Sequence, residues 1–434
     1  MKRYCVIGEK LPHTMSPQIH RMFFDIKGEE GEYGVREFTR EQIKNARAEL
    51  LRYDGVNVTV PYKQTVMPLL DEISAEARHI GAVNTIKNVG GRLVGYNTDP
   101  YGFTAMLKKN GVDVKGKKAV VLGSGGAARS VLYALKELGA QVTYVRRDED
   151  EELEGYEYIT YPRLEESGSG CLLVNTTPLG MYPHEEGCAV SEQVFTRFEA
   201  AADVVYNPVM TTFVRRALKA GGRAFSGLYM LVAQAMGSQG IWRGEEIDVQ
   251  DIDPIYNALL RDYFLQNGGN IWLVGLMSCG KSTLGRALAR EQGKTFADAD
   301  EYTEKIAGMT IPQMFERGED FFRMWETRAL LQLAEQKNLV VAAGGGAVTR
   351  AVNRDAMRSS GVVVYVKRSV ENIVGQVDCS GRPLLAGGAE KLFGIYAARK
   401  SLYEGCAHFT ADNNGSEQEG LERIKEILHE TGDN

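Results

Sequence analysis

Several features are scarce in this 434-residue sequence, and each scarcity excludes a class of protein. The six cysteines are scattered without a C-x-x-C pair and the six histidines lack metal-ligand spacing, which predicts reduced thiols, a cytoplasmic location and no structural zinc. No apolar run approaches the length of a membrane span, and because the sequence enters the first predicted strand directly, we expect no signal peptide. The net charge of −6 argues against nucleic acid as a partner. We therefore expect small-molecule ligands and neither membrane nor nucleic acid as a partner, while composition favours no oligomeric state.

The length predicts about two or three domains. Strand-like and helix-like segments alternate through the first half, which is typical of an α/β fold. The only obvious joint is Asn267-Gly268-Gly269, so we expect domains over 1–267 and 270–434. The periodicity predicts strands over 4–8, 57–60, 84–94 and 141–145, and helices over 17–27, 66–79, 228–237 and 254–266.

The segment 275–283, GLMSCGKST, matches the phosphate-binding P-loop pattern G-x-x-x-x-G-K-[ST]. An apolar strand precedes it and a helix follows, which is the context that the motif requires. The glycines turn backbone N–H groups toward phosphate oxygens, Lys281 can reach the β- and γ-phosphates, and Ser282 can hold Mg²⁺. The motif therefore predicts ATP with Mg²⁺ as ligands. The expected nucleotide-binding residues are Ser278, Cys279, Gly280, Lys281, Ser282 and Thr283.

A second glycine-rich turn follows the apolar strand 119–122 and opens a helix, as in the βαβ unit of a dinucleotide-binding domain. An NAD site usually places an acid at the end of the next strand, but this chain has Arg146 and Arg147 there. Two guanidinium groups suit a 2′-phosphate, which favours NADP(H) over NAD. The alternative is a solvated basic pair, because acidic residues fill 148–152. The residues of the turn expected to bind the cofactor are Gly123, Gly125, Gly126 and Ala127.

The lobe before this unit contains polar residues that a core would not select. Hydride transfer to a ketone needs a proton for the developing alkoxide, and a lysine held by an aspartate can supply it. Lys63 and Asp99 are suitable residues. Taken singly, each is more often structural, and Lys63 could lie on a plain surface.

These motifs, in this order, resemble shikimate dehydrogenase from about residue 4 to 266. The matching segments are His13-Thr14-Met-Ser16-Pro17, Asn57-Val-Thr-Val-Pro-Tyr-Lys63, Gly81-Ala-Val-Asn-Thr85, Asn97-Thr-Asp99, Gly123-Ser-Gly-Gly-Ala127, Asn175-Thr-Thr-Pro178, Asp203-Val-Val-Tyr206-Asn-Pro208 and Gly227-Leu-Tyr-Met-Leu231. The resemblance implies reduction of 3-dehydroshikimate by NADPH, with Lys63 and Asp99 as the catalytic pair. It implies substrate binding by Thr14 and Ser16 at the carboxylate, by Thr59, Asn84, Asp99 and Gln234 at the hydroxyls, with Tyr206 nearby, and cofactor contacts at Gly227 and Met230. It also implies a substrate lobe of about 1–100 plus 227–267 and a Rossmann-like NADP lobe of about 101–226.

Five features depart from the family pattern. Thr14 replaces a serine, Pro100 replaces the glycine after the catalytic aspartate, and Tyr229 replaces a glycine near the expected nicotinamide. The family's Asn-Arg-Thr is Arg146-Arg147-Asp148, and the stretch 147–171 is short enough that a helix is expected to be missing. The last three changes, at Tyr229, at 146–148 and over 147–171, concern the cofactor and leave the substrate site intact.

Beyond the P-loop, two carboxylates stand two residues apart, at Asp298 and Asp300. On an extended chain both face the same way, so one can serve Mg²⁺ and the other the acceptor hydroxyl. The alternative is a pair of helix-start acids. Arg323 lies inside an amphipathic helix, where surface solvation is the plain interpretation, and three glycines at 344–346 permit a ligand to approach the backbone. Arg382, in a polar, glycine-containing stretch, could close over the γ-phosphate.

This set resembles shikimate kinase over 270 to about 413. The resemblance implies that Asp300 deprotonates the shikimate 3-hydroxyl, and that Lys281 and Arg382 stabilise the transferring phosphoryl group. It implies substrate contacts from Arg323, Gly344, Gly345, Gly346 and Arg399. Mg²⁺ would lie on Ser282, with Asp298 acting through water.

The fold expected is therefore a two-lobed α/β dehydrogenase followed by a P-loop kinase with a central parallel sheet. The leading hypothesis is a bifunctional enzyme that makes shikimate from 3-dehydroshikimate and then phosphorylates it. Two alternatives remain for the first half: a quinate or shikimate dehydrogenase that uses NAD, and a degenerate module that only binds shikimate.

Overall fold

The structure is a computed structural model that describes residues 1–12, 14–147, 152–375 and 390–429. The chain divides into two compact units, Met1–Tyr256 and Asn257–Asn434. The division falls inside the helix Val249–Gln266, ahead of the joint expected at 267–269. The bounds 1–267 and 270–434 thus remain a prediction. In the described ranges, no helix combines the length and the hydrophobicity that a membrane span requires.

The first sheet of the first unit is mixed, with strand order β2-β1-β3-β5-β6-β4. Its central strands β1 and β3 are apolar and buried, since helices cover them. The strands are β1 (Lys2–Gly8), β2 (Gly31–Glu37), β3 (Gly55–Val58), β4 (Glu72–Ile73), β5 (Thr85–Val89) and β6 (Arg92–Tyr96). The helices of this part are α1 (Ser16–Lys27), α2 (Arg47–Leu50), α3 (Ala75–Ile80) and α4 (Asp99–Lys109), with 3₁₀ turns at Gln42–Asn45 and Met67–Leu69.

The second sheet of this unit is parallel throughout, with strand order β12-β11-β10-β7-β8-β9. Parallel strands need crossover connections, and the intervening helices supply them. The strands are β7 (Lys118–Leu122), β8 (Gln141–Arg146), β9 (Glu157–Thr160), β10 (Gly170–Asn175), β11 (Phe198–Asp203) and β12 (Arg223–Phe225). The helices are α5 (Gly126–Glu137), α6 (Tyr161–Ser167), α7 (Glu192–Phe195), α8 (Thr212–Lys219), α9 (Leu228–Arg243) and α10 (Val249–Gln266).

Three sequence predictions in this unit were wrong in detail. No continuous helix spans 66–79, because Pro68 cannot donate a backbone hydrogen bond and α3 begins only after its N-cap, Ser74. The single strand expected over 84–94 is a hairpin, since Gly90 and Gly91 adopt positive φ and reverse the chain between β5 and β6. The stretch 147–171 does contain a helix, α6, although it is only seven residues long.

The second unit contains a five-stranded parallel sheet with strand order β14-β15-β13-β16-β17. The central strand β13, NIWLV, is fully buried, as a strand covered on both faces requires. The strands are β13 (Asn270–Val274), β14 (Thr295–Asp298), β15 (Leu339–Ala342), β16 (Gly361–Lys367) and β17 (Phe409–Asp412). The helices are α11 (Lys281–Glu291), α12 (Ala299–Ala307), α13 (Ile311–Glu316), α14 (Glu319–Ala334), α15 (Ala351–Ser360), α16 (Val370–Val374), α17 (Lys391–Cys406) and α18 (Glu417–His429), with a 3₁₀ turn at Ala347–Thr349. The expected α/β fold with a central parallel sheet is confirmed.

Candidate active sites

A cavity of about 220 Å³ lies in the first unit, between residues carried by both of its sheets. It brings together side chains separated by more than two hundred residues of sequence, because they stand at strand ends and helix starts that face one space. The expected residues that line it are Thr14, Ser16, Thr59, Lys63, Asn84, Asp99, Ala127, Tyr206, Gly227, Met230 and Gln234. Met15, Asn57, Val204 and Leu231 also line it, and no role was assigned to them from the sequence.

Lys63 and Asp99 form a direct ion pair in this cavity. Lys63 Nζ lies 2.6 Å from Asp99 Oδ2, and Asn84 Nδ2 donates to the other oxygen, Oδ1, at 2.8 Å. Asp99 is the first residue of α4, and its backbone N–H donates to Asn97 Oδ1 at 3.0 Å. The carboxylate is therefore held on both oxygens, and the ammonium remains partly exposed to the cavity, with a side-chain exposure of 26%.

Hydroxyl and amide groups surround this pair. Thr14 Oγ1 donates to Ser16 Oγ at 3.3 Å, so the two hydroxyls lie side by side. Gln234 lies on α9 and its Nε2 donates to the carbonyl of Leu231 at 2.9 Å. Burial raises the pKa of the Tyr206 phenol, which keeps it a neutral hydrogen-bonding group. A cavity lined with such groups suits a small polyol.

Two departures from the family pattern lie outside the chemistry. Pro100 stands in the first turn of α4, where a missing backbone N–H costs nothing. Tyr229 turns away from the cavity, and its hydroxyl donates to Asp253 Oδ1 at 2.8 Å. Lys109 Nζ meets the other oxygen of Asp253 at 2.6 Å. Tyr229 therefore joins three helices instead of occupying the space beside the cavity.

The glycine-rich turn of the second sheet is open on the side where a phosphate would lie. Gly123 has a φ of 104°, which disfavours side chains, and a Cβ there would meet Thr176 Oγ1 at 3.1 Å. Gly125 and Gly126 are exposed, with no atom within 4 Å of a Cβ built on either. Since α5 begins at Gly126, its N-terminal N–H groups point into this space. The turn thus fits a dinucleotide pyrophosphate.

The basic pair lies at the end of β8. The Arg146 guanidinium stacks 4.3 Å from the ring centroid of Tyr158 and forms an ion pair with Glu152 at 3.0 Å. Arg147 is exposed. The acidic residue Glu152 therefore pairs with Arg146, as the alternative interpretation of Arg146 and Arg147 as a solvated basic pair predicts. Asp148 lies outside the described residues.

Gly227 has a packing role at the start of α9. A Cβ at this position would overlap the carbonyl of Val204, so only glycine lets the start of the helix approach the residue after β11 so closely. Met230, one turn along, is buried and lines the cavity.

In the second unit, the P-loop adopts the conformation that its glycines predict. Gly275 and Gly280 have φ values of 145° and 100°, and Ser278 also has a positive φ, 60°. Lys281 Nζ donates to the carbonyls of Gly275 and Leu276 at 3.0 and 2.8 Å, which holds it across the loop. Cys279 is fully buried, in agreement with a packing role.

Asn413 was missed by the sequence analysis. Its Nδ2 donates to the carbonyl of Cys279 at 2.8 Å, and it packs against Gly280 and Gly420. Asn413 follows β17, far along the chain, so no local pattern could have linked it to the loop. Asn413 therefore stabilises the P-loop through its hydrogen bond to the Cys279 carbonyl.

A cavity of about 320 Å³ opens at the P-loop. Ser282 Oγ donates to Asp298 Oδ2 at 2.7 Å inside it. The extended geometry expected for the two acids was wrong: Asp298 ends β14 as the N-cap of α12, and Asp300 lies in the first turn of that helix. The Asp298 carboxylate accepts from the Asp300 N–H at 3.0 Å, yet both side chains still line the cavity.

Asp300 has an unusual electrostatic environment. Burial, followed by the nearby carboxylates of Glu326 and Asp298, raises the pKa of Asp300 to about 6. Gly344 lies against it, since a Cβ there would come within 2.6 Å of Asp300 Oδ1. A carboxyl group with this pKa is ionised at neutral pH yet basic enough to accept a proton.

Arg323 is buried, 5% exposed, so the plain interpretation of a solvated surface arginine was wrong. Its guanidinium binds both oxygens of Glu326 at 3.0 and 2.9 Å and one oxygen of Glu319 at 3.0 Å. It packs directly on Gly346, where a Cβ would overlap its nitrogens. Glu326 is 1% exposed, and no role was assigned to it from the sequence.

The triple glycine also connects to the helix α17. Arg399 Nη1 donates to the Gly345 carbonyl at 3.2 Å, and the Tyr403 hydroxyl donates to the same oxygen at 2.5 Å. Gly344, Gly345 and Gly346 all line the cavity. Arg382 lies outside the described residues.

Comparison with known proteins gives two family matches in one chain. Residues 6–86 match the family described as shikimate dehydrogenase substrate binding domain. Residues 277–430 match the family described as shikimate kinase.

Relatives extend the first match. A shikimate dehydrogenase (NADP(+)) of Clostridium perfringens strain 13 is 41% identical over 269 residues, covering 60% of this chain and 98% of that protein. The crystal structure of a chorismate mutase/shikimate 5-dehydrogenase fusion protein from Clostridium acetobutylicum is 42% identical, with a TM-score of 0.57, over 60% of this chain and 97% of that one. The shikimate 5-dehydrogenase of Thermus thermophilus, in complex with NADP(H) and shikimate, is 34% identical, with a TM-score of 0.55, over 59% and 98%.

These relatives are matched over nearly their full length, and each covers about three-fifths of this chain. The kinase match lies within the remaining part, at 277–430. The Lys63–Asp99 cavity and the P-loop cavity accordingly lie in separate units. The chain belongs to the shikimate dehydrogenase family and carries, fused to it, a shikimate kinase domain.

Proposed function

We propose that the first cavity reduces 3-dehydroshikimate to shikimate with NADPH and that the second phosphorylates shikimate with ATP. The observation that carries the proposal is that each cavity holds its own acid–base group, with a carboxylate in it, among groups suited to a carboxylated polyol. These are Asp99, paired with Lys63, in one cavity and Asp300, above the P-loop, in the other.

In the reduction, 3-dehydroshikimate, NADPH and a proton give shikimate and NADP⁺. Lys63 Nζ holds the proton that the carbonyl oxygen takes as it becomes an alkoxide, and Asp99 orients the ammonium at 2.6 Å. Asn84 and Gln234 bind hydroxyls of the substrate, and the paired hydroxyls of Thr14 and Ser16 bind its carboxylate. NADPH, when bound, supplies the hydride.

In the phosphorylation, each of the residues expected at the second cavity also has a role. Asp300 takes the proton of the 3-hydroxyl as that oxygen bonds to the γ-phosphorus of ATP, and the bond to the ADP oxygen breaks. Lys281 and Arg382 stabilise the charge on the phosphoryl oxygens. Arg323 and Arg399 bind the substrate carboxylate, next to the backbone of Gly344–Gly346.

The residues present fit both expected cofactors. The Ser282 hydroxyl and the Asp298 carboxylate are oxygen donors in contact at 2.7 Å, which suits Mg²⁺, a cation that neutralises phosphate charge when bound. The open turn at Gly123–Gly126 suits a dinucleotide pyrophosphate, and Arg146 or Arg147 suits the 2′-phosphate of NADP.

The alternatives are not favoured. A degenerate first unit would not need a lysine and an aspartate held together in its cavity, and Pro100 and Tyr229 leave that pair undisturbed. The NADP-dependent relatives speak against NAD as the cofactor. A cytoplasmic location belongs to the proposal as well, supported by the five free cysteines among the described residues.

The test uses the purified full-length chain in two assays. With shikimate and NADP⁺, the absorbance of the reduced cofactor should rise, and much more slowly with NAD⁺. With shikimate and ATP–Mg²⁺, ADP should form only when shikimate is present. Absence of cofactor reduction with either dinucleotide would overturn the first activity, and ADP formation that ignores shikimate would overturn the second.

A further inference from the structure

A line of buried polar side chains leads from the catalytic pair of the first unit into its interior. Several of these groups are fully buried, where an unpaired polar atom is costly, so their partners define the network closely. The line contains, in order, Asp99, Asn84, Thr85, Ser238, Asn57, His20 and Gln239. His20, Thr85, Ser238 and Gln239 have no part in the chemistry described above.

At the catalytic end, the orientation of the Asn84 amide is fixed. Its Oδ1 accepts from the backbone N–H of Thr98 at 2.8 Å, and a backbone N–H can only donate. The Nδ2 group must therefore face Asp99, to which it donates at 2.8 Å. Thr85 Oγ1 donates to the same Asn84 Oδ1 at 2.9 Å, so Thr85 helps to hold this orientation.

The middle of the line is set by the hydroxyl of Ser238. Its Oγ lies 2.7 Å from Thr85 Oγ1 and accepts from Asn57 Nδ2 at 2.8 Å. Since the Thr85 hydroxyl gives its one proton to Asn84, it can only accept from Ser238. A second acceptor, the Gln234 carbonyl, lies 3.2 Å from Ser238 Oγ, but the Thr85 oxygen is closer, at 2.7 Å. We therefore assign the Ser238 proton to Thr85, so that the direction of donation continues from Asn57 toward Asp99.

At the far end, the His20 ring lies between two amides. Its Nε2 is 3.1 Å from Asn57 Oδ1, which also accepts from the Tyr33 hydroxyl at 2.7 Å. Its Nδ1 is 2.8 Å from Gln239 Nε2. Because Asn57 Nδ2 donates to Ser238 and Asn57 Oδ1 accepts, His20 donates from Nε2 and accepts at Nδ1.

The reverse assignment is less favourable at Gln239. The assigned orientation leaves only its Oε1, an acceptor, without a hydrogen bond, while the flipped amide would leave the NH₂ group buried without an acceptor. Unpaired buried donors are rarer than unpaired acceptors.

We propose that these side chains form a one-directional series of hydrogen-bond donors, from Gln239 through His20, Asn57, Ser238, Thr85 and Asn84, that ends on the Asp99 carboxylate and holds it in place for the reduction. His20, Ser238 and Thr85 are then positioning residues, and this role rests on the function proposed for the first cavity. Aligned donors polarise one another, so each bond in such a series strengthens the next.

The series requires a neutral His20. A protonated ring would donate from both nitrogens and would face the Gln239 NH₂ group, which cannot accept. Burial lowers the pKa of His20 to about 3, while its bond to Asn57 acts in the opposite direction. The ring is fully buried and stacks on Tyr33 at 4.0 Å between centroids.

The first test reads the tautomer of His20 without any assay of activity. Full-length protein labelled with ¹⁵N-histidine is examined by long-range ¹H–¹⁵N NMR, and the His20 signals are assigned by their loss in His20→Gln. We expect a neutral ring protonated at Nε2 that does not titrate between about pH 5 and pH 8. A ring protonated at Nδ1, or one that titrates in this range, would overturn the proposal, whatever the enzyme catalyses.

The second test breaks the series next to Asn84 by Thr85→Val, which keeps the shape and removes the donor. We expect kcat for shikimate oxidation to fall about tenfold to a hundredfold, with KM for shikimate changed less than about twofold. Thr85→Ser should restore kcat to within about twofold, because it restores the hydroxyl. The matched control is Thr143→Val on β8, outside the series, with kcat unchanged.

The kinetic outcomes are distinct from those of the proposed function. If wild-type protein oxidises shikimate and Thr85→Val retains full kcat, or if Thr85→Ser fails to restore it while remaining folded, the positioning role is wrong. If wild-type protein shows no oxidation, the proposed function fails, and the NMR result alone decides the direction of the series.

Discussion

The two cavities hold the carboxylates of their proton-transfer sites in opposite electrostatic settings. In the first, Asp99 touches a cation, with Lys63 Nζ at 2.6 Å. In the second, Asp300 lies near two other carboxylates, and burial together with this repulsion raises its pKa to about 6. An ion pair suits a site where lysine gives the proton, and a carboxylate with raised pKa suits a site where the carboxylate takes it.

The cations of the second cavity do not remove this difference, because most are already engaged. The Arg323 guanidinium is bound on both sides by Glu326 and Glu319. Lys281 Nζ is held by two P-loop carbonyls. Arg323 and Lys281 can therefore attract anionic groups of the ligands, while the pKa of Asp300 stays raised.

The largest effect should come from removing the first site's proton source. Lys63→Ala should lower kcat for shikimate oxidation about 10²- to 10⁴-fold, because the alkoxide oxygen loses its acid–base partner, and should leave shikimate-dependent ADP formation unchanged. The control is Lys44→Ala, an exposed lysine of the same lobe. A Lys63→Ala enzyme with full oxidation rate would remove the first half of the comparison.

The corresponding substitution in the second cavity removes the carboxylate that accepts the proton. Asp300→Asn should lower kcat for phosphorylation about 10²- to 10³-fold, since the amide cannot accept the hydroxyl proton, and shikimate oxidation should stay at the wild-type rate. Asp320→Asn, an exposed acid at the start of α14, serves as the control. Loss of both activities in Asp300→Asn would indicate misfolding or coupling and contradict separate sites.

The pH dependence sharpens the contrast. Only ionised Asp300 can take a proton, and its pKa is raised to about 6, so kcat/KM for phosphorylation should be constant above that pH and fall as the pH drops through it. The slope should approach about tenfold per pH unit. A profile measured with shikimate and saturating ATP should lose this limb in Asp300→Asn. A limb at much lower pH would mean that burial and the neighbouring carboxylates do not raise the pKa of Asp300.

A smaller effect on activity is expected from the contact between the Gly346 backbone and the Arg323 guanidinium. Gly346→Ala places a methyl group against Arg323, so KM for shikimate in phosphorylation should rise about tenfold, while oxidation is unaffected. Gly394→Ala on α17 is the matched control, because a Cβ there meets nothing within 4 Å. Equal behaviour of the two variants would show that Arg323 moves aside without loss of binding.

The smallest effect concerns Tyr229. Tyr229→Phe removes one hydrogen bond to Asp253 and should cost about 1 kcal/mol of unfolding free energy in a urea titration, with KM for NADP⁺ changed less than about twofold. Tyr101→Phe, which loses only a 3.4 Å contact to Ile247, should cost less. A large rise in KM for NADP⁺ would mean that the Tyr229 hydroxyl reaches the cofactor.

The sequence by itself determined the features that depend on local chemistry. The P-loop and the turn at Gly123–Gly126 could be predicted, because glycine permits backbone conformations at its own position that other residues rarely adopt. The motif order also grouped Lys63 with Asp99, and Asp300 with the triple glycine, and the structure places each group at one cavity. The boundaries failed where Pro68 and Gly90-Gly91 interrupt a periodic pattern.

Only the tertiary structure decided how these side chains are held. Contacts between elements determine the partners of Arg323 and the side of α9 on which Tyr229 lies. They also determine the support of the P-loop by Asn413 and the buried series from His20 to Asp99. The raised pKa of Asp300 likewise comes first from its burial and then from Glu326, which the packing of α14 against α12 brings close. Hydrogen bonds and charges act through distance in space, and residues far apart in sequence reach those distances only when the chain is folded.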